Sequence, residues 1–314
     1  MSKFLYKFLY FLIIPLAFLF ITLELILHIN PNTFNKKAEF LKNNKKDIQV
    51  LFLGSSHTQD GINPIYMTLK SSNLGYGSQD YEIDLNLLNN YINELPNLKY
   101  IIEEVDFIDF YKERNPDYFR YPWYEKYYGI ELGSYPKYKK WSLYLSNPDF
   151  FNNYFKNYLF VEENINDYGY NDIEVNGEFL KYGYNENTIN QNKKILLPNL
   201  QILNETTKKL FKINMERLNS IKELAIKNDI IFIQMTYPMH QTYYNTIETY
   251  ETYNVWRSYI NGKKTGESEL WDFERNSMFL TTDFANSSHL NNIGAKKLTK
   301  MVNDSIVKLL NENN

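Results

Sequence analysis

The feature that most limits what this chain can form is an apolar run near its N-terminus, from Phe8 to Leu27. About 20 residues of this kind are enough for one helix to cross a hydrocarbon core roughly 30 Å thick. The run is longer than the apolar part of a typical signal peptide, and no small-residue cleavage site follows it. We therefore predict an uncleaved transmembrane anchor over residues 1–28.

Lysines flank this run on both sides and bear on its orientation. Lys3 and Lys7 precede it, and five follow it closely: Lys36, Lys37, Lys42, Lys45 and Lys46. Counting charges close to the helix favours a cytoplasmic location for the C-terminal side. Long domains, however, are translocated largely regardless of charge, so the lysine count leaves both orientations open.

Residues 29–47 are polar and predict a linker, so that a globular domain would occupy residues 48–314. Short apolar runs spaced like strands then follow. They are Val50–Leu53, the weak Ser72–Leu74, Tyr100–Val105, Ile230–Met235 and Leu270–Phe273. Helical periodicity occupies 79–94, 205–227 and about 292–311. Strands alternating with helices predict an α/β fold with a five-stranded parallel sheet covered on both faces, a three-layer α/β/α sandwich.

The segment from about 107 to 200 interrupts this alternation and is dense in Tyr, Phe and Trp. We interpret it as a large insertion after the third strand. Its aromatic residues could form the insertion's own core. They could also line a groove for sugar rings or lie at a membrane surface, where amphipathic aromatic side chains are favoured.

Composition excludes several functions. The 314 residues carry a formal net charge of −3 and no basic stripe with interleaved aromatics, so we expect no nucleic-acid partner. The chain has no Cys, which excludes disulfides, thiolate zinc sites and a thiol nucleophile. Only four His residues are available as bases, and we expect neither a metal nor a cofactor.

Two Gly-containing turns follow predicted strands. Gly54-Ser55-Ser56-His57 comes directly after the first strand, where a serine hydroxyl would be exposed at the carboxyl end of the sheet. In Asn73-Leu74-Gly75-Tyr76-Gly77 the two glycines follow the second strand and precede a helix, so backbone N–H groups there could face an anion.

A third motif lies near the C-terminus, in residues 279–298. His289 comes just before the last amphipathic helix, for which Asn291 or Asn292 is a suitable N-cap. Asp283 and Asn286 lie upstream on the same loop. A histidine acting as a base needs one ring nitrogen free and the other held by an acceptor, which a side chain on this loop can supply.

Together these motifs resemble those of the SGNH (GDSL-type) hydrolase superfamily, in its membrane-anchored branch. That branch includes proteins of teichoic-acid D-alanylation and polysaccharide O-acetylation. The resemblance covers roughly 48–106 and 205–312, and it implies a flavodoxin-like sheet. It also implies Ser56 as nucleophile, His289 as base, and backbone N–H groups of Ser56, Gly77 and Gly75 as oxyanion donors.

The sequence departs from the family pattern at three places. Asn286 stands where the family has Asp three residues before the His, so we favour Asp283 over Asn286 as the residue that orients His289. Residues "IIEEVDF" replace the Gly-x-Asn-Asp block after the third strand; Glu104 or Asp106 there could face the site or form a salt bridge. Ser55 replaces the Asp of the first block.

The resemblance implies an esterase or O-acyltransferase whose acyl-serine intermediate passes its acyl group to water or to a glycan. The expected substrate is an acylated envelope or exported polysaccharide, with a possible membrane partner that donates the acyl group. The domain would then face the extracytoplasmic side. His57, His240 and Tyr237 are candidates for contacting substrate. The alternative is a non-catalytic envelope protein that binds glycan or acts as a scaffold.

Overall fold

The computed structural model describes residues 2–30, 32–158, 165–171, 177–192, 197–263 and 269–312. The remaining parts of the predicted insertion, 159–164, 172–176 and 193–196, lie outside the described residues. The strands are β1 Val50–Leu53, β2 Ser71–Asn73, β3 Tyr100–Glu104, β4 Ile231–Thr236 and β5 Glu269–Asp272. Each lies within two residues of a predicted strand.

The α-helices, in chain order, are α1 Ser2–Ile29, α2 Thr33–Asn44, α3 Ser56–Gly61, α4 Tyr81–Tyr91, α5 Tyr121–Trp123, α6 Tyr138–Trp141, α7 Leu143–Ser146, α8 Pro148–Tyr158, α9 Glu178–Lys181, α10 Glu186–Gln191, α11 Glu205–Lys227, α12 Gln241–Ile247, α13 Glu251–Lys263 and α14 Asn292–Glu312. Short 3-10 turns occupy Pro64–Tyr66, Ile92–Glu94, Ile108–Tyr111, Pro198–Leu200 and Thr281–Asp283, and a π turn occupies Tyr124–Tyr128.

The strands form one parallel sheet in the order β2-β1-β3-β4-β5, which confirms the predicted five-stranded α/β fold. This is one of the common orders of doubly wound sheets, in which ligands bind beyond the carboxyl ends of the strands. All four residues of β1 are fully buried, and the strand is paired with a neighbour on each side. Helix α4 packs on α11, and α14 packs on α3.

The chain divides into two compact units. One comprises Met1–Asn32 and Arg114–Glu163, and the other comprises Thr33–Glu113 and Asn164–Asn314. The predicted insertion is therefore divided, since its described part after residue 164 belongs with the sheet.

Residues 29–47, expected to be a polar linker, contain helix α2 and belong to the sheet unit from Thr33 onward. Phe34, Ala38 and Leu41 recur on one face of α2 and are buried. The lysines between these positions gave the segment its polar composition, but the helical spacing of the apolar side chains lets it pack. The domain boundary at residue 48 is thus corrected to about residue 33.

Candidate active site

Ser56 is the first residue of α3 and lies three residues beyond the carboxyl end of β1. Gly54 makes this short connection possible. Its φ is +138°, and a Cβ there would lie 2.3 Å from the Cβ of Glu104. Only glycine fits such a conformation and such a close approach. The turn therefore presents Ser56 at the carboxyl end of the sheet, where doubly wound folds bind ligands.

His289 lies at the end of a closed loop just before α14. Phe284 and Leu290 form an antiparallel bridge, and Ala285 N–H donates to the His289 carbonyl at 2.8 Å. The Asn291 side chain then accepts from the N–H groups of Ile293 and Gly294, which confirms Asn291 as a cap of α14. The loop is thus fixed at both ends.

The two motifs meet. The Ser56 Oγ lies 2.8 Å from His289 Nε2, and His289 Nδ1 lies 3.1 Å from Asn286 Oδ1. Asn286 Oδ1 also accepts from the backbone N–H groups of Ser288 and His289, both at 3.0 Å. Those two donors fix the carbonyl side of the amide toward the histidine. A carbonyl acceptor at Nδ1 favours the tautomer with the proton on Nδ1, which leaves Nε2 free to accept the Ser56 proton.

The preference for Asp283 as the orienting residue was wrong. The Asp283 carboxylate caps its own turn, accepting from Leu280 N–H at 2.9 Å, and it forms an ion pair with Lys297 of α14. The turn Thr281–Asp283 directs this side chain toward α14, whereas Asn286, inside the closed loop, reaches the ring.

A buried carboxylate, Glu104, organises the turn on the other side of Ser56. It ends β3 and is fully buried. Its Oε2 accepts from Ser55 N–H at 2.7 Å and Thr58 N–H at 3.0 Å, and its Oε1 accepts from Ser55 Oγ at 2.5 Å. Glu104 thereby serves as the cap that the first turn of α3 needs, since Ser55 makes no side-chain cap of its own.

His57 completes this arrangement. Its Nδ1 lies 3.0 Å from Glu104 Oε1 and 3.9 Å from Asp106 Oδ2. Burial by itself disfavours the imidazolium, but the charge of Asp106 and the bond to Glu104 outweigh it and raise the pKa of His57 to about 9. Burial likewise opposes ionisation of Glu104, yet the hydrogen bonds from His57, Ser55 and Thr58 hold the pKa of its carboxyl well below the usual range. The pair is ionised at neutral pH.

The two histidine rings are neighbours, with centroids 4.9 Å apart. Burial, followed by the positive charge of His57, lowers the pKa of His289 to about 3. His289 is therefore neutral at physiological pH, as a general base must be, and only weakly basic.

Gly75 and Gly77 are not available as oxyanion donors in this conformation. Gly75 N–H donates to Asn73 Oδ1 at 2.9 Å, and Gly77 N–H donates to Gln59 Oε1 at 2.6 Å. The Gly75 carbonyl is held by the buried amine of Lys37 at 2.6 Å. Side-chain carbonyl groups thus occupy both N–H groups that the family resemblance assigned to the oxyanion.

Two of the expected substrate contacts are structural side chains. The His240 ring contacts Thr242 Oγ1 at 2.9 Å and Thr281 Oγ1 at 3.2 Å, and its backbone N–H donates to Ser287 O. His240 is 4% exposed and supports the His289 loop from behind. Tyr237 is 2% exposed, with its hydroxyl 2.8 Å from Thr58 Oγ1. His57 is also buried, but it remains beside His289.

Among the described residues, His57, Glu104 and Asp106 are the group whose ligand atoms are spaced closely enough to hold a metal ion. Both Glu104 oxygens already accept protein hydrogen bonds, and two of those come from backbone N–H groups that cannot move aside. The N–H and O–H groups around Glu104 therefore suit a carboxylate that is hydrogen-bonded within the fold better than one that binds a metal ion.

The role of Glu104 was the main feature that the sequence did not assign. A signal existed, since an acid ending a buried strand must find several donors, and Ser55, His57 and Thr58 offer them on the adjacent turn.

No protein-family model and no curated protein sequence matches this chain.

Proposed function

We propose that this chain is a membrane-anchored, SGNH-like serine esterase or O-acyltransferase. The observation that carries the proposal is the contact sequence Ser56 Oγ, His289 Nε2, His289 Nδ1, Asn286 Oδ1, with distances of 2.8 and 3.1 Å. A nucleophile bonded to a base that is in turn held by a third group is the arrangement that activates a hydroxyl for acyl transfer.

In the first step Ser56 Oγ attacks the ester carbonyl carbon while its proton moves to His289 Nε2. The tetrahedral intermediate collapses, the ester C–O bond breaks, and His289 returns the proton to the leaving alcohol. Water or a second hydroxyl then attacks the acyl-serine, giving its proton to His289, which passes it to the departing Ser56 oxygen. Throughout, Asn286 holds the proton on Nδ1.

The oxyanion needs donors other than the two glycines. Ser56 N–H is suitable, because no described residue accepts a hydrogen bond from it. The imidazolium of His57 brings a positive charge next to His289. We propose that these two groups together stabilise the developing negative charge, with Glu104 balancing His57 in the resting enzyme.

Several features support an SGNH-like framework. The strand order matches that of a flavodoxin-like sheet, and the separate helix pairs α4 with α11 and α3 with α14 are consistent with cover on both faces. We therefore also propose that the domain is a three-layer α/β/α sandwich. Helix α1 has an apolar window, Tyr6–Ile29, of mean hydropathy 2.4 and is long enough to cross a membrane.

The proposed substrate is an acyl ester on a cell-envelope or exported polysaccharide, so we place the site on the extracytoplasmic side. A pocket lined by Gln59, Asp60, Tyr170 and Leu290 adjoins the chain segments that carry Ser56 and His289. A membrane protein that supplies acyl groups is a possible partner if the acceptor is a glycan rather than water.

The test is ester turnover by the full chain in detergent, with acetylated polysaccharides and small acetyl esters as substrates. We expect release of acetate, or transfer to a glycan, that is lost in Ser56→Ala and His289→Ala. Ser55→Ala is the matched control: it removes the neighbouring hydroxyl, which serves Glu104, and should keep most of the activity. Equal turnover by wild type and Ser56→Ala would refute the proposal.

The second candidate is a non-catalytic envelope protein that binds glycan or acts as a scaffold. The occupied N–H groups of Gly75 and Gly77 favour it, as does the uncharged Asn286. It predicts glycan binding to wild type and Ser56→Ala with equal affinity and no acyl-serine with any ester.

A further inference from the structure

Helix α1 is exposed over only part of its length. The side chains described from Phe4 to Leu19 are exposed; Phe11 and Phe18, for example, are 75% and 72% exposed. From Phe20 onward several are partly covered, and Leu27 is 4% exposed. Sixteen residues of helix span about 24 Å, somewhat less than a hydrocarbon core of about 30 Å. If α1 crosses a bilayer, the hydrocarbon boundary falls near residues 20–24.

Helix α7 packs on this part of α1. It lies between α6 and α8 in the chain, and we call residues 137–155, which include α6 and the start of α8, the collar. The Phe20 and Tyr144 rings meet edge to face at 6.2 Å. The Glu24 carboxylate accepts from Ser142 Oγ at 2.9 Å, from Tyr144 N–H at 3.2 Å and from Leu143 N–H. A carboxylate at this depth is costly unless it is hydrogen-bonded, and the collar supplies those bonds.

The collar also leaves large aromatic side chains exposed to solvent. Trp141 is 77% exposed and Tyr138 is 54% exposed, although other aromatic rings of the same unit, such as Trp123, are buried. Trp141 immediately precedes Ser142, so it lies at the level where the hydrocarbon is calculated to end. Trp and Tyr are the side chains that favour the boundary between headgroups and acyl chains.

The lysines near these aromatic side chains also favour a membrane as the partner of this surface. Lys137 is exposed next to Tyr138, and Lys139 and Lys140 lie in the same turn, with Lys140 paired to Glu125. Lysines beside a membrane-embedded helix attract anionic headgroups. Exposed Trp and Tyr side chains flanked by Lys, joined to an apolar helix by partly buried hydrogen bonds, together form a surface suited to a bilayer.

We propose that the collar is a lipid-binding surface that lies in the membrane interface around the anchor, with Trp141 and Tyr138 at the headgroup boundary and Lys137 and Lys139 against anionic phosphates. This inference needs α1 to cross the membrane but does not depend on catalysis by Ser56.

The absence of Cys makes a direct test possible. The full chain carrying Trp141→Cys, with a spin label attached, is reconstituted in vesicles containing phosphatidylglycerol. Accessibility of the label to oxygen and to a water-soluble nickel chelate is measured by power saturation. The matched control is Lys212→Cys, an exposed site on α11 of the sheet unit. Tyr138→Cys provides a second reporter.

We expect the labels at 141 and 138 to lose nickel accessibility relative to position 212 and to gain oxygen accessibility. Replacing Lys137 and Lys139 by Glu should partly restore nickel accessibility at 141 in anionic vesicles. Nickel accessibility at 141 equal to that at 212 would overturn the proposal, as would protection from both nickel and oxygen, which indicates a protein partner. Ser56→Ala should leave every reading unchanged, so failure here is distinguishable from absence of esterase activity.

Discussion

Replacing Glu104 by Gln tests the electrostatic organisation of the Ser56 turn. If the Gln carbonyl takes the position of Oε2, it can keep the bonds from Ser55 N–H and Thr58 N–H. The amide NH₂ then faces His57 Nδ1 and Ser55 Oγ, where Oε1 accepted before. His57 can accept that bond only as a neutral ring, so the substitution removes the ion pair while preserving the shape of the turn.

The stability that this ion pair contributes follows from the pKa of His57, which is raised from 6.5 to about 9. A shift of this size corresponds to about 3 kcal/mol of folding free energy. Because the folded pKa exceeds the unfolded one, this stabilisation is complete below pH 6.5 and is lost as the pH rises through 9. For a domain of this size 3 kcal/mol corresponds to a melting-temperature difference on the order of 10 °C.

The assay is thermal or urea unfolding of the full chain in detergent between pH 6 and 9.5. The stability difference between wild type and Glu104→Gln should shrink by about 3 kcal/mol as the pH rises through this window, because other titrating groups such as Lys37 are common to both proteins. The two proteins should therefore differ most at pH 6. Equal stability of the two at pH 6, or a difference between them that does not change with pH, would refute the ion pair.

Glu103 provides the matched control, because it precedes Glu104 on β3 and is also fully buried. Burial, with the charge of Asp84 adding to it, raises the pKa of Glu103 well above its usual value and so favours the neutral carboxyl. Glu103→Gln keeps the shape of a carboxyl that burial already disfavours in its charged form and should cost less than about 1 kcal/mol.

Further predictions concern the histidine and its loop. Asn286→Asp adds a charge beside His289 Nδ1 and should raise ester turnover by about 10- to 100-fold, measured as kcat; a decrease would contradict the assigned orientation. Asp283→Asn breaks the ion pair with Lys297 and should lower stability by about 1 kcal/mol while leaving the turnover rate nearly unchanged. Since the pKa of His289 is lowered to about 3, kcat/KM should stay flat from pH 5 to 8; a fall centred near pH 6.5 would contradict this.

The sheet and its order of elements were predictable because β1 is a buried apolar run, β3 and β4 begin with apolar runs, and the intervening helices have clear periodicity. The pairing of Ser56 with His289 was predictable from motif order, since both follow strands or loops at one edge of a parallel sheet. Helix α2 was not predicted because the lysines of this segment give it a polar composition, although its apolar side chains form one buried face.

Other details depended on side-chain direction, which sequence spacing does not give. Asp283 and Asn286 lie on one loop, and only the turn geometry decides that Asp283 faces Lys297 while Asn286 faces the ring. The N–H groups of Gly75 and Gly77 are bound by Asn73 and Gln59, and nothing in the pattern of glycines indicates that competition.

The central claim is that Ser56 is a nucleophile activated by His289, and covalent labelling measures this most directly. The full chain is treated with a fluorophosphonate, digested, and the modified peptide is identified by mass spectrometry. The account predicts phosphonylation of Ser56 in wild type, none at this residue in Ser56→Ala, and a strongly reduced rate in His289→Ala. A folded wild-type protein that remains unlabelled, or one labelled equally well at Ser55, would contradict it.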